Sequence, residues 1–298
     1  METGIVQGRA EPASDRRAGM DLHTIETVVR PKNRSELPAW ADGDACLGGG
    51  TWLFSEPQVG TRRLVDLAAL EWTPHAIDAH GLTLAATCTI AQLDRLELPS
   101  GWNAAPLVGQ CCRALLGSFK IWNVATVGGN ICLALPAGPM IALATALDAT
   151  CTIWSRDGAE RTVSILDFVL APQRNALAPG EILRSLSMPA AALARRTAFR
   201  RVSLSPNGRS GALLIGTRGA DGAFALTVTA SVKRPLRLAF EGLPGRAELV
   251  RALDDAVPEA LYHDDVHGRP DWRRHMTRHF AEEIRGSLDA APSPGAAS

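Results

Sequence analysis

Apolar positions along the chain fall into short runs broken by Gly, Pro and Asp. Thr24–Val29 is rich in β-branched residues and meets Pro31, which predicts a strand. Ala45–Leu47 is a shorter run that enters Gly48-Gly49-Gly50-Thr51, and Arg63–Leu67 is a further strand. Ala76–Ala79 and Leu82–Ala86 flank His80-Gly81, and Thr150–Trp154 and Arg161–Ile165 flank Arg156-Asp157-Gly158; both patterns predict hairpins. Glu181–Met188 reads as a strand stopped by Pro189.

Helical spacing occurs between these runs. Thr89-x-x-Gln92 is a capping box, followed by Ile90, Leu93 and Leu96. Ala104–Leu116 predicts a helix ended by Gly117, and Met140–Leu147 a buried helix. Ala190–Arg196 is an Ala/Arg-rich connector and the predicted domain boundary. Beyond it lie the strands Ala212–Thr217, Ala223–Ala230 and Leu236–Phe240, then the helices Arg246–Asp255 and Asp271–Leu288. Strands followed by helices predict an α+β half, a small antiparallel sheet covered by helices.

Composition narrows the classes. The 298 residues carry 31 Lys+Arg and 31 Asp+Glu, so no bulk charge is available to hold nucleic acid or an anionic membrane. Six cysteines occur without a CxxC pair or ferredoxin spacing, which predicts reduced thiols, a cytoplasmic protein and no cluster on this chain. Residues 1–19 read as a disordered lead-in, with Met20 an alternative start, and 289–298 as a disordered tail. The uncharged run Ile121–Leu147 is long enough for a membrane span, but Gly128, Gly129, Pro136 and Pro139 break it, so it reads as loop plus buried helix.

Two segments carry candidate chemistry. In Leu47-Gly48-Gly49-Gly50-Thr51-Trp52-Leu53 three glycines let the backbone turn tightly, and successive N–H groups form an anion-binding concavity suited to a pyrophosphate. Leu53 stands where a dinucleotide fingerprint would place its third glycine. Asn123-Val124-Ala125-Thr126-Val127-Gly128-Gly129-Asn130 is a second glycine turn, either a dinucleotide contact or a loop that satisfies itself. His275-x-x-x-His279 lacks the Glu of a zinc-protease helix and has Arg273, Arg274 and Arg278 beside it, which predicts an exposed helix and no metal. The cluster Arg195, Arg196, Arg200 and Arg201 is either a solvated connector or a partner contact.

The two loops resemble those of the FAD-binding medium subunit of molybdenum hydroxylases, the xanthine dehydrogenase and carbon monoxide dehydrogenase family. Arg63–Leu67 and Leu84–Ile90 lie between them, and Asp167-Phe168, Leu177–Leu183 and Ala198–Ser203 follow in the expected order. The resemblance runs from about Leu22 to Leu288. It implies a PCMH-type FAD domain over 20–190, with two subdomains sandwiching FAD, and a C-terminal α+β domain over 195–288 like that of the carbon monoxide dehydrogenase flavoprotein.

The implied cofactor contacts are Leu47, Gly48, Gly49, Gly50, Thr51, Trp52 and Leu53 at the pyrophosphate; Leu116; Thr126, Val127, Gly128, Gly129 and Asn130; and Leu183 and Arg200 near the flavin. Some relatives carry Lys at the position of Arg200, and many carry Arg at that of Trp122. The family commonly has Asn, Ser and Asp where this chain has Leu133, Leu135 and Pro139. Loss of that Asp removes a charge-assisted hydrogen bond to the cofactor, ~1.5–3 kcal/mol if nothing replaces it.

The implied function is electron transfer. A small [2Fe-2S] subunit would deliver electrons from a large molybdenum-cofactor subunit to FAD here, in a dimer of heterotrimers, and an external acceptor would remove them. A stand-alone flavin oxidase of related fold and a non-enzymatic assembly subunit with a degraded flavin site are the alternatives.

Overall fold

The computed structural model describes residues 24–290, so the expected lead-in and most of the expected tail lie outside the described residues. The first strands are β1 (Thr27–Val29), β2 (Asp44–Leu47) and β3 (Arg63–Asp66), which form a parallel sheet in the order β1-β3-β2. Arg63 donates to Asp44 at 2.8 Å (Nε to Oδ1), which fixes the register beneath the glycine loop.

Next come β4 (His75–Asp78), β5 (Gly81–Ala85) and a run of short helices: α1 (Ile90–Asp94), α2 (Ala105–Ala114), α3 (Phe119–Trp122), α4 (Val127–Cys132) and α5 (Pro139–Ala146). The capping box at Thr89 and Gln92 is present. Then follow β6 (Thr150–Trp154), β7 (Glu160–Ser164), α6 (Ile165–Phe168), the ribbon β8 (Val169–Ala171) with β9 (Arg174–Asn175), and β10 (Ile182–Pro189). The second sheet is antiparallel, in the order β4-β5-β10-β6-β7, so β10 returns to pair between the two predicted hairpins.

A helical turn, α7 (Ala190–Leu193), leads into β11 (Arg196–Val202), β12 (Ala212–Arg218), β13 (Phe224–Thr229) and β14 (Leu236–Phe240), an antiparallel sheet in sequence order. α8 (Arg246–Ala256) and α9 (Pro270–Asp289) cover it. The arrangement is α+β, as the sequence predicts.

One helix explains how these layers join. All eight residues of α5 are buried, so it is apolar on every side. On one side lie α2 and α4; on the other, Leu213, Ile215 and Ala230 of the last sheet enter the same cluster. The opposite face of that sheet, including Leu214, Leu226 and Val228, packs on Leu249, Leu253, Phe280 and Ile284 of α8 and α9. Asp148 ties the layers at the rim, between Arg195 (2.6 Å) and Arg237 (2.8 Å). No helix among the described residues is long and apolar enough to cross a membrane.

Local readings differ from the structure at four places. α2 stops at Ala114, because Leu115 is already extended (ψ 100°), and Gly117 is not its cap. Gly128 and Gly129 lie in the first turn of α4 rather than in a loop, held helical by bonds to neighbouring segments that outweigh their low propensity. The Ala/Arg-rich connector contains a buried turn, with Ala192 and Leu193 wholly covered. Finally, β11 begins at Arg196; arginines on both of its faces hide the strand's alternation, and the fold gives each of them a partner.

Candidate cofactor site

The parallel sheet ends at Leu47, and the chain turns at once. Gly50 has φ +70°, and Phe54 donates its N–H to the Gly50 carbonyl (2.8 Å), closing a turn over Thr51–Leu53. The N–H groups of Gly49, Gly50, Thr51, Trp52 and Leu53 donate to no acceptor among the described residues, and the Thr51 hydroxyl is likewise unclaimed. Buried or half-buried backbone donors are ordinarily paired. Five consecutive unclaimed donors on one turn are an arrangement able to bind an anion.

The second loop backs the first and is closed on itself. Thr126 caps α4, its Oγ1 accepting from Gly129 N–H at 3.0 Å. Val127 N–H donates to Cys88 O (2.8 Å) and Gly128 N–H to Ala86 O (2.9 Å). A Cβ on Gly128 would overlap Ala86, so this glycine answers to protein packing. Asn130 Oδ1 accepts from Met140 N–H (3.1 Å) and leaves the Asn130 amide protons unclaimed. The two loops touch: a Cβ on Gly48 would lie 3.0 Å from Thr126 Oγ1, and one on Gly49 would overlap the backbone of Val124.

Several large apolar side chains in these segments are exposed. Phe54, Leu116, Phe119, Ile121 and Val124 are exposed, Phe119 to 72%. Leu116 is exposed, and Trp122 is half-buried, its Nε1 donating to Leu115 O (3.1 Å). Four of these five lie within nine residues of sequence, and exposed apolar side chains are a feature of ligand or partner surfaces.

The remaining implied residues are placed differently. Leu183 is buried in the central cluster, next to Arg184, whose carbonyl accepts from Ala86 N–H (3.0 Å). Arg200 is not brought to the loops: its Nε donates to Glu283 (2.6 Å) and its Nη2 to Ser287 (2.9 Å) on α9. Arg201 lies on the other face of β11, and Arg209, which the sequence does not flag, lies over Trp52 at 5.2 Å. Leu133 is the half-buried C-cap residue of α4, and Pro139 is buried at the start of α5.

The other candidate segments resolve structurally. Arg273 is buried, not solvated, and donates to the carbonyls of Gly268, Gly211 and Ala230 and to Asp265. Arg278 pairs with Asp254, and His279 with Glu283. Burial pushes the thiols of Cys88, Cys112 and Cys151 up to about 12.

A row of unclaimed N–H groups on a glycine turn has the donor chemistry that suits an anion such as a pyrophosphate. The family of the FAD-binding domain in molybdopterin dehydrogenases matches residues 24–191. The chain belongs to this family. It is 39% identical over 84 residues to xanthine dehydrogenase of Oryza sativa subsp. japonica, covering 26% of this chain and 6% of that protein. It is 33% identical over 87 residues to the glyceraldehyde dehydrogenase medium chain of Sulfolobus acidocaldarius, covering 29% of this chain and 30% of that one. Each alignment thus spans under a third of the relative. Among solved structures, a chain of carbon monoxide dehydrogenase from Hydrogenophaga pseudoflava superposes with TM-score 0.73 at 19% identity, covering 89% of this chain and 96% of that one. The likeness to that chain extends past residue 191, so the last sheet and its helices belong to the shared fold.

Proposed function

We propose that this chain is the FAD-carrying electron-transfer subunit of a heteromeric molybdenum hydroxylase. The observation that carries the reading is the row of five unclaimed N–H groups from Gly49 to Leu53, braced by the Val124–Thr126 backbone, in a member of an FAD-binding family. When bound, FAD supplies reversible acceptance of electrons. The chain's own part is to hold the cofactor's pyrophosphate on the Gly49–Leu53 donors and to present an apolar wall, with Leu116, Phe119 and Val124, beside it.

Electrons would come from [2Fe-2S] clusters on a small subunit, fed by a molybdenum-cofactor subunit, and leave to an external acceptor. The exposed apolar rim supports a docked partner next to the cofactor. Within the described residues the thiols do not gather, with other His, Cys, Asp or Glu residues, into a group able to hold a metal ion.

The test is co-expression with the two partner subunits and alone. Cofactor released by heat is expected to be FAD, and flavin absorbance should bleach on substrate addition only in the complex. Bleaching of the isolated chain by an organic substrate, or release of FMN, would overturn the reading.

A further inference from the structure

We propose that Arg209 is a cation clamp on the same site: it donates to the diphosphate group cradled by Gly49–Leu53, and Arg201 is the residue that positions it. The inference rests on the FAD reading and adds to it two residues from outside the matched region 24–191.

Arg209 sits on the loop between β11 and β12, in the C-terminal sheet, yet its guanidinium lies over the ring of Trp52 within the glycine turn, 5.2 Å from the centroid. Stacked on an indole, a guanidinium keeps its edge of N–H donors free. Arg195 and Arg200 have carboxylate partners at 2.6 Å; Arg209 has none among the described residues. An unpaired cation therefore stands against a turn whose N–H groups are also unpaired. Arg209 is exposed, and an unused guanidinium over the same turn as unused N–H groups suits a doubly charged oxyanion, since guanidinium binds phosphate oxygens in bidentate fashion.

Arg201 holds that loop in place. Its Nη2 donates to Gly208 O and its Nε to Ser210 Oγ, both at 2.7 Å, so it grips the residues on either side of Arg209. Ser210 is buried, which fixes the far anchor. The register of β11 explains why Arg201, and not its neighbour, has this role. Arg201 pairs with Leu213, which faces the α5 cluster, whereas Arg200 pairs with Leu214, which faces α9.

The test uses the full chain stripped of cofactor, with FAD, ADP and FMN as probes at fixed low salt. R209Q should bind both FAD and ADP roughly tenfold more weakly than wild type, the loss expected for one charge-assisted contact. ADP carries the diphosphate without the flavin, so equal weakening of the two locates the contact. R209K should recover part of the affinity. R201M should lose about the same factor, and R201M/R209Q no more than either alone, because both changes remove one contact. R251Q, on exposed α8, serves as the charge-loss control. Wild-type FAD affinity in R209Q overturns the clamp while leaving the FAD reading intact. Weakening toward FAD but not ADP overturns the diphosphate contact, and wild-type affinity in R201M overturns the positioning role. Failure of the wild-type chain to bind FAD overturns the underlying reading itself.

Discussion

Gly49 lies against the backbone of Val124 so closely that a single added methyl group would occupy the Val124 carbonyl. The contact welds the cradle turn to the segment before α4. Gly49→Ala should therefore push the loops apart and destabilise the fold by about 1–3 kcal/mol, the usual cost of overpacking. Gly60→Ala, which meets nothing within 4 Å, is the matched control. Thermal melts and flavin content, measured on both, should fall together in the first and stay at wild-type values in the second.

Thr126 supports the same junction from the other side. Thr126→Ala removes the cap on Gly129 N–H and should cost about 1 kcal/mol, with Thr126→Ser restoring most of it. Denaturant midpoints distinguish the two variants. Equal stability of all three proteins would mean that the cap is replaced by water.

Acid should loosen the strand that follows Gly180. The Arg161 guanidinium beside Glu181, helped by the Ala178 N–H, holds the Glu181 carboxyl down at about 2. In the unfolded chain the group returns to its ordinary value near 4.5. Its contribution is thus complete above about pH 4.5 and is lost as the pH falls towards 2. After allowance for the partly exposed Arg161, the pair is worth about 1 kcal/mol. Glu181→Gln should lower stability at pH 7 by that amount and converge with wild type near pH 2, as followed by urea melts across the range.

Burial protects the thiols. At pH 8 a maleimide should label Cys88, Cys112 and Cys151 only as fast as the chain opens, and all three promptly in urea. Peptide mapping reads the sites directly. Rapid labelling of any of them in the native chain would contradict the packing described.

Much of this was legible in the chain. Strand ends at Gly48, His80-Gly81 and Asp157-Gly158 declare themselves because turns need particular residues, and the box at Thr89 and Gln92 because capping needs particular side chains. The glycine turn after Leu47 was legible for the same reason. What was hidden depends on contacts across the fold. Gly128 looks like a turn residue until Ala86 is seen beside it, and β11 looks like a connector until Glu283 and Ser210 take up its arginines. Arg209 gives no local signal at all; only the tertiary path that carries it to Trp52 shows its use.

The placement of α5 has a practical consequence for dissecting this chain. Since Leu213, Ile215 and Ala230 wall one side of that helix, cutting the polypeptide after residue 191 would leave Pro139–Ala146 facing water along a stripe with no charged residue. Such a fragment would keep the Gly49–Leu53 turn and still lack the sheet that covers one side of α5. The unit that keeps α5 covered is therefore longer than the segment that gives the family its signature, and functional work should begin from the whole chain.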